Sequence, residues 1–196
     1  MRLLTILALL LCTPALAQEA ATEMPAEEPA EVPAEAPAEA PAAISRCMAS
    51  EHRQFDFWLG EWNVMSDGKP AGTNRVVSIQ NGCALQENWQ GAGAGGISGT
   101  SFNIYDRATK RWHQTWVDAG GTLLQLDGGL VDGVMVLKGT RPAPNGNGTA
   151  QHRISWTPNP DGSVQQLWEA SQDNGSTWQV IFDGLYQRME AVDETW

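Results

Sequence analysis

What the chain has little of narrows its function first. Of its 196 residues only three are cysteine and three histidine. They form no Cys-x-x-Cys, no His-Glu-x-x-His and no mixed Cys/His cluster, so a dedicated zinc site is not expected. Gly-x-Ser-x-Gly is missing, and with it the strained serine turn of the α/β-hydrolases. The glycine run Gly91-Ala92-Gly93-Ala94-Gly95-Gly96 lacks the strand-to-helix setting and the Lys-Ser/Thr pair of a phosphate loop. It reads instead as a flexible connection at the mouth of a fold, with a lid as its functional reading. Basic residues are scarce: 12 Lys and Arg stand against 23 Asp and Glu, a formal charge of −11. That balance argues against nucleic acid or anionic lipid as a partner. The apolar run at residues 3–11 is too short to span a bilayer, which takes about 20 residues, so no membrane span is expected. No later segment sustains a helical period.

What is present begins with two segments that precede any fold. Arg2, the apolar run and Ala15-Leu16-Ala17 have the charge, core and small-residue site of an export signal, so residues 1–17 are expected to be removed after Ala17. Cys12 follows the bulky Leu11, where a lipid-attachment signal calls for a small residue. Residues 18–45 are dominated by Ala, Pro and Glu, with Pro25, Pro29, Pro33, Pro37 and Pro41 at every fourth position. That spacing forbids a continuous helix and favours extended chain. Too little apolar surface is available to offset ordering entropy, so a disordered linker is expected. It serves either as an inert spacer or as an arm for an envelope partner. Without its seven acids and Arg2 the remainder carries a formal charge of −5, ordinary for a soluble domain. A periplasmic or secreted location follows, and there the two cysteines of the mature chain, Cys47 and Cys83, are expected to be joined.

Residues 46–190 are enough for one domain. Turn signals divide them at 67–68, 81–82, 91–96, 106–110, 119–121, 132–133, 145–148, 159–162 and 173–175. Several are Asn-Gly or Asp-Gly, the dipeptides that supply positive φ to tight hairpins. About ten runs of strand length lie between them, rich in Val, Ile, Thr, Trp and Tyr. The expected fold is all-β: a single antiparallel up-and-down barrel of about ten strands, since closure removes exposed edges. A β-sandwich is the alternative. The strand faces are too polar and irregular for the lipid-facing belt of a membrane barrel.

One stretch stands out: Phe55-Asp56-Phe57-Trp58-Leu59-Gly60-Glu61-Trp62-Asn63-Val64. Its four aromatics within eight positions each bury about 150–250 Å². Gly60 splits it into a short N-terminal helix over residues 55–59 and a first strand over 61–66. This Gly-x-Trp after a helical plug resembles the opening of lipocalin-like (calycin) barrels. More closely, it resembles the signature of a family of exported bacterial lipocalin-like domains of unknown function. The likeness covers roughly residues 47–188 and implies a calycin barrel, without implying a reaction. Nitrobindin-like relatives of such barrels hold haem through a histidine near the C-terminus. Residues 178–188 have none, so no cofactor is expected, and His152 is the one interior candidate for a haem ligand. Ser171-Gln172-Asp173-Asn174-Gly175-Ser176-Thr177-Trp178 resembles the Asp-box of sialidases, here as a single copy and therefore a structural hairpin.

Tight turns transmit register, and register decides which side chains share a face. Pairing Val131 with Val134 groups Leu126, Leu130, Met135 and Leu137. Pairing Tyr105 with Trp112 carries Gln114, Trp116 and Asp118 to the same side. Placing Trp156 opposite Val164 groups His152, Ile154, Gln166 and Trp168, and the next hairpin extends the set to Trp178, Val180, Phe182 and Tyr186. Val76 joins Leu85, Glu87 and Trp89. These are the more apolar faces, hence the interior, yet they include Glu87, Gln114, His152 and Gln166. Buried polar groups of this kind form either a satisfied core network or the polar contacts of a pocket. The candidate ligand-binding residues are Glu87, Trp89, Tyr105, Gln114, Trp116, His152, Trp156, Gln166 and Trp168. The leading expectation is a binding module for a small apolar or aromatic ligand. The alternatives are a hydrolase- or isomerase-type enzyme using Glu87 and His152 as an acid–base pair, and a structural envelope protein with a filled core.

Overall fold

The computed structural model describes residues 47–143 and 146–189. The expected export signal, its cleavage site, Cys12 and the linker lie outside the described residues. Ten strands follow one another: β1 (Gly60–Ser66), β2 (Lys69–Ile79), β3 (Ala84–Gly91), β4 (Ser98–Asp106), β5 (Arg111–Asp118), β6 (Leu123–Val131), β7 (Val134–Pro142), β8 (Thr149–Pro158), β9 (Val164–Ser171) and β10 (Gln179–Arg188). Each pairs antiparallel with its sequence neighbours, and β1 pairs with β10 through Trp62 opposite Arg188 and Val64 opposite Tyr186. The sheet is therefore a closed up-and-down barrel and not a sandwich. No described helix is long and apolar enough to cross a membrane.

Every turn signal read from the sequence falls on a strand connection. Asp67-Gly68 and Asp132-Gly133 are two-residue turns with positive φ at both positions, the backbone twist a tight hairpin requires. Asn81-Gly82 needs one residue more: Gln80 also has positive φ, and Gln80–Gly82 forms a 3-10 turn.

In such a barrel alternate hairpins lie at opposite ends. The N-terminal segment closes the end that carries the β2–β3, β4–β5, β6–β7 and β8–β9 connections. It forms two short 3-10 helices, Ser50–Arg53 and Asp56–Trp58, and then turns into β1 at Gly60, whose φ of +140° excludes most side chains. Phe55 and Trp58 stack at 5.0 Å and meet Trp156 at 5.1 and 5.3 Å between ring centroids. Phe55 also meets Trp112 edge-on at 5.6 Å. The Trp62 indole donates to the Trp58 carbonyl at 3.0 Å, locking plug to strand. The Cys47–Cys83 disulfide ties the start of this segment to the residue before β3.

Two register expectations are corrected. Val164 lies opposite Pro158, and Trp156 opposite Gln166. This is a shift of two residues, which keeps every side chain on its expected face. A bulge between Val180 and Phe182 reverses the start of β10. Val180 is exposed, and the Trp178 ring lies outside the barrel beneath the Arg153 guanidinium at 4.3 Å. The extra residue flips the face and so overturns the inward placement of both. The Asp-box hairpin is otherwise as expected. Asp173 accepts from the Thr177 amide at 2.8 Å, and the Trp178 indole donates to the Gly175 carbonyl at 3.1 Å.

Candidate ligand-binding site

Alternation along three strands repeats one local pattern, a polar residue and then a tryptophan two positions on. It reads Glu87-Asn88-Trp89 on β3, Gln114-Thr115-Trp116 on β5 and Gln166-Leu167-Trp168 on β9. Residues two apart on a strand share a face, so all six side chains point inward. The polar member of each pair sits at mid-height, and the tryptophan one step nearer the open end. The interior is thus layered. An aromatic plug fills the closed end, a polar layer crosses the middle, and an aromatic rim surrounds the mouth.

Above the polar layer is a cavity of about 210 Å³. Glu87, Gln114, Gln166 and Tyr186 contribute its polar surface. Trp89, Trp116, Trp168, Phe182 and Ile181 surround it, with Leu124 and Ile154 completing the wall.

The rim aromatics are held in place by their neighbours. A Cβ on Gly72 of β2 would stand 2.8 Å from the Trp89 ring, and one on Gly99 of β4 would stand 2.2 Å from the Trp116 ring. Neither ring can occupy its position against a larger residue. Trp89 meets Phe182 edge-on at 5.8 Å, and Phe182 in turn lies against Gly184. The Trp116 indole donates to Asp118 at 3.2 Å, and the Trp168 indole donates to Nδ1 of His152 at 3.0 Å.

The polar layer is a connected network. Asn74 on β2 donates to Glu87 Oε1 at 2.8 Å, and Ser101 on β4 to Glu87 Oε2 at 2.6 Å. Ser101 Oγ accepts from Asn103 at 2.9 Å, and Asn103 accepts from Gln114 Nε2 at 3.0 Å. Across the barrel the Tyr186 hydroxyl donates to Gln166 Oε1. These bonds engage Gln114 through its Nε2 and Gln166 through its Oε1. Burial pushes the Glu87 carboxyl up to about 7, although the Ser101 and Asn74 hydrogen bonds pull it down. Burial, and then the charge of Glu87, raise the Tyr186 phenol well above its ordinary range. His152 is lowered by burial and by Arg141. With Nδ1 accepting from Trp168 it is the neutral Nε2–H tautomer, and its Nε2 is buried without a partner.

Of the nine residues expected at the site, Glu87, Trp89, Gln114, Trp116, Gln166 and Trp168 line the cavity. His152 does not line it and instead accepts from the Trp168 indole at 3.0 Å. Tyr105 and Trp156 belong to the closed end: Tyr105 packs on His52 and Trp112, and Trp156 on Phe55 and Trp58. Glu87 on β3 and His152 on β8 occupy opposite sides of the ring of strands. Each is bonded to partners other than the other.

Asn74, Ser101 and Asn103 are the members of the network that sequence reasoning missed. The same alternation that carried Tyr105 inward also carries Asn103 and Ser101, so the signal was available. Ile181 was not legible, because only the β10 bulge turns it to the mouth. Among the described residues no three His, Cys, Asp or Glu side chains group to hold a metal. Compared with known proteins, the chain matches no protein-family profile and no curated protein.

Proposed function

We propose that the chain is an exported, lipocalin-like binding protein whose barrel holds one small apolar or aromatic ligand. The observation that carries this reading is the cavity at the mouth, with its rings fixed before any ligand arrives. Glycines beneath Trp89 and Trp116, and the His152 hydrogen bond to Trp168, hold the rings in place. Fixed walls reduce the ordering cost of binding. A filled structural core would have no reason to leave half-buried indoles around about 210 Å³ of space. A cavity of about 150 Å³ holds benzene, so the ligand is of one-ring or two-ring size. The Cys47–Cys83 disulfide supports export into an oxidising compartment, as does the segment read as a signal. The likeness of the Phe55–Val64 stretch to exported calycin-like domains supports the family assignment.

Native mass spectrometry of protein purified from its own host tests the reading directly. The expected result is a bound small molecule that is lost in a Trp116→Ala protein. Bare protein, together with tryptophan fluorescence indifferent to a panel of one-ring and two-ring aromatics, would overturn it.

A further inference from the structure

The cavity wall has an unusual charge composition. Of its lining residues only Glu87 and Tyr186 ionise in water, and none is basic. Tyr186 is held protonated by its burial, so the charge of the wall is that of Glu87. That carboxyl is buried, and no Lys, Arg or His makes an ion pair with it among the described residues. The groups facing it are neutral: Asn74 from β2, Ser101 and Asn103 from β4, Gln114 from β5, and Tyr186 from β10. Charged groups lie toward the two ends of the barrel: at the closed end Arg188 covers the Trp62 ring and Arg53 pairs with Asp56, and two stand nearer the rim. Asp118 is tied to Trp116 and to the turn amides of Gly120 and Thr122, and Arg141 lies beside His152 on the other side of the barrel.

A buried carboxylate without a counter-charge is costly. An anionic ligand would add a second negative charge to the same low-dielectric space. A neutral ligand would remove water from Glu87 and compensate nothing. A cation supplies the missing partner, and indole faces attract cations within about 6 Å of the ring centroid. Three indoles line this cavity.

We propose, building on the binding reading above, that the pocket selects a small organic cation. Its amine or quaternary ammonium group sits beside Glu87, and its apolar body lies between Trp89, Trp116 and Trp168. Because the cation favours ionised Glu87, its uptake is coupled to release of the Glu87 proton.

The test uses three probes of nearly equal shape: benzyltrimethylammonium, its neutral carbon analogue neopentylbenzene, and phenylacetate. Each is titrated into the intact protein by tryptophan quenching and calorimetry. Benzyltrimethylammonium is expected to bind at least about tenfold more tightly than the neutral analogue, a difference of about 1.4 kcal/mol, and phenylacetate not measurably. Its charge does not titrate, so any pH dependence belongs to the protein. Its affinity should rise about tenfold per pH unit up to the Glu87 pKa and then level off, while neopentylbenzene stays flat. Glu87→Gln should abolish the pH dependence and reduce the preference to the part that the indoles supply. If that variant does not fold, the pH series on the unaltered protein decides alone. Equal, pH-independent binding of the neutral analogue would overturn cation selection and leave the binding reading standing. Tighter binding of phenylacetate would do the same. Failure of all three probes to bind would overturn both.

Discussion

The two ends of the barrel are built from the same kind of residue and do opposite things with it. At the closed end Phe55, Trp58, Trp62, Trp112 and Trp156 are at most 1% exposed. At the open end Trp89, Trp116 and Trp168 are only partly buried, packed against the core on one side and bordering the cavity on the other. The difference does not lie in the strands, which present inward tryptophans toward both ends. It lies in the N-terminal segment, which is available at one end only and fills it with Phe55 and Trp58. A tryptophan therefore acts as core where the chain supplies a partner ring and as a candidate contact surface where it does not. The polar layer at mid-height separates the two regimes and carries the one cavity acid.

The largest effect should come from the plug. Trp58→Ala removes a fully buried ring that touches Phe55 and Trp156 and is expected to cost about 3–5 kcal/mol in urea denaturation. Trp116→Ala at the rim should cost only about 1–2 kcal/mol, because that ring is partly solvated already. Equal costs would erase the distinction between the ends.

The disulfide sharpens the comparison from the side of the unfolded chain. It closes a loop of 36 residues, for which chain entropy gives about 3–4 kcal/mol. Paired Cys47→Ser and Cys83→Ser substitutions should lower stability by that amount while leaving quenching at the open end unchanged. Titration of the denatured, unreduced protein should find no free thiol in this pair.

The polar layer should show itself through pH. Glu87 rises from an ordinary 4.5 to about 7 in the folded protein, so the native state holds its proton more tightly than the unfolded chain. Its contribution is then greatest below pH 4.5, falls as the pH rises from 4.5 through 7, and is constant above that. The loss is on the order of 3 kcal/mol. Denaturation curves for the unaltered protein and Glu87→Gln across this range isolate it, and a parallel decline in both would assign it to another group.

The smallest effect tests the rim. His152→Ala leaves the Trp168 indole N–H without its acceptor and should cost about 1–2 kcal/mol. It should also weaken any ligand that lies against Trp168, because that ring is freed to rotate. Unchanged stability and unchanged binding together would show that the hydrogen bond does not hold the ring.

Much of this was legible in local pattern. Asn-Gly and Asp-Gly turns, strand-length runs and two-residue alternation were enough for the ten-strand barrel and for the inward faces of β3, β5, β8 and β9. These rules act over a few residues, and a hairpin hands its register to the next strand. A shift of two, as between Trp156 and Val164, does no damage because it preserves the face. A single extra residue does, and the bulge after Val180 sent Trp178 and Val180 outward and Ile181 to the mouth. Face, moreover, is not height. Nothing local distinguishes Trp156 from Trp168 or Tyr105 from Trp116, since all are inward aromatics on regular strands. Their fates depend on where the 3-10 segment at Asp56–Trp58 docks and on which strands closure places opposite each other. For the same reason alternation placed both Glu87 and His152 inside, while only the circular order of strands set them on opposite walls. The sequence by itself determined the strands, their faces and the polar–aromatic composition of the interior, because these follow from contacts between near neighbours along the chain. Tertiary structure alone decided which aromatics became plug and which became rim, because that depends on closing the β1–β10 seam and docking a plug at one end, contacts between residues far apart in the chain.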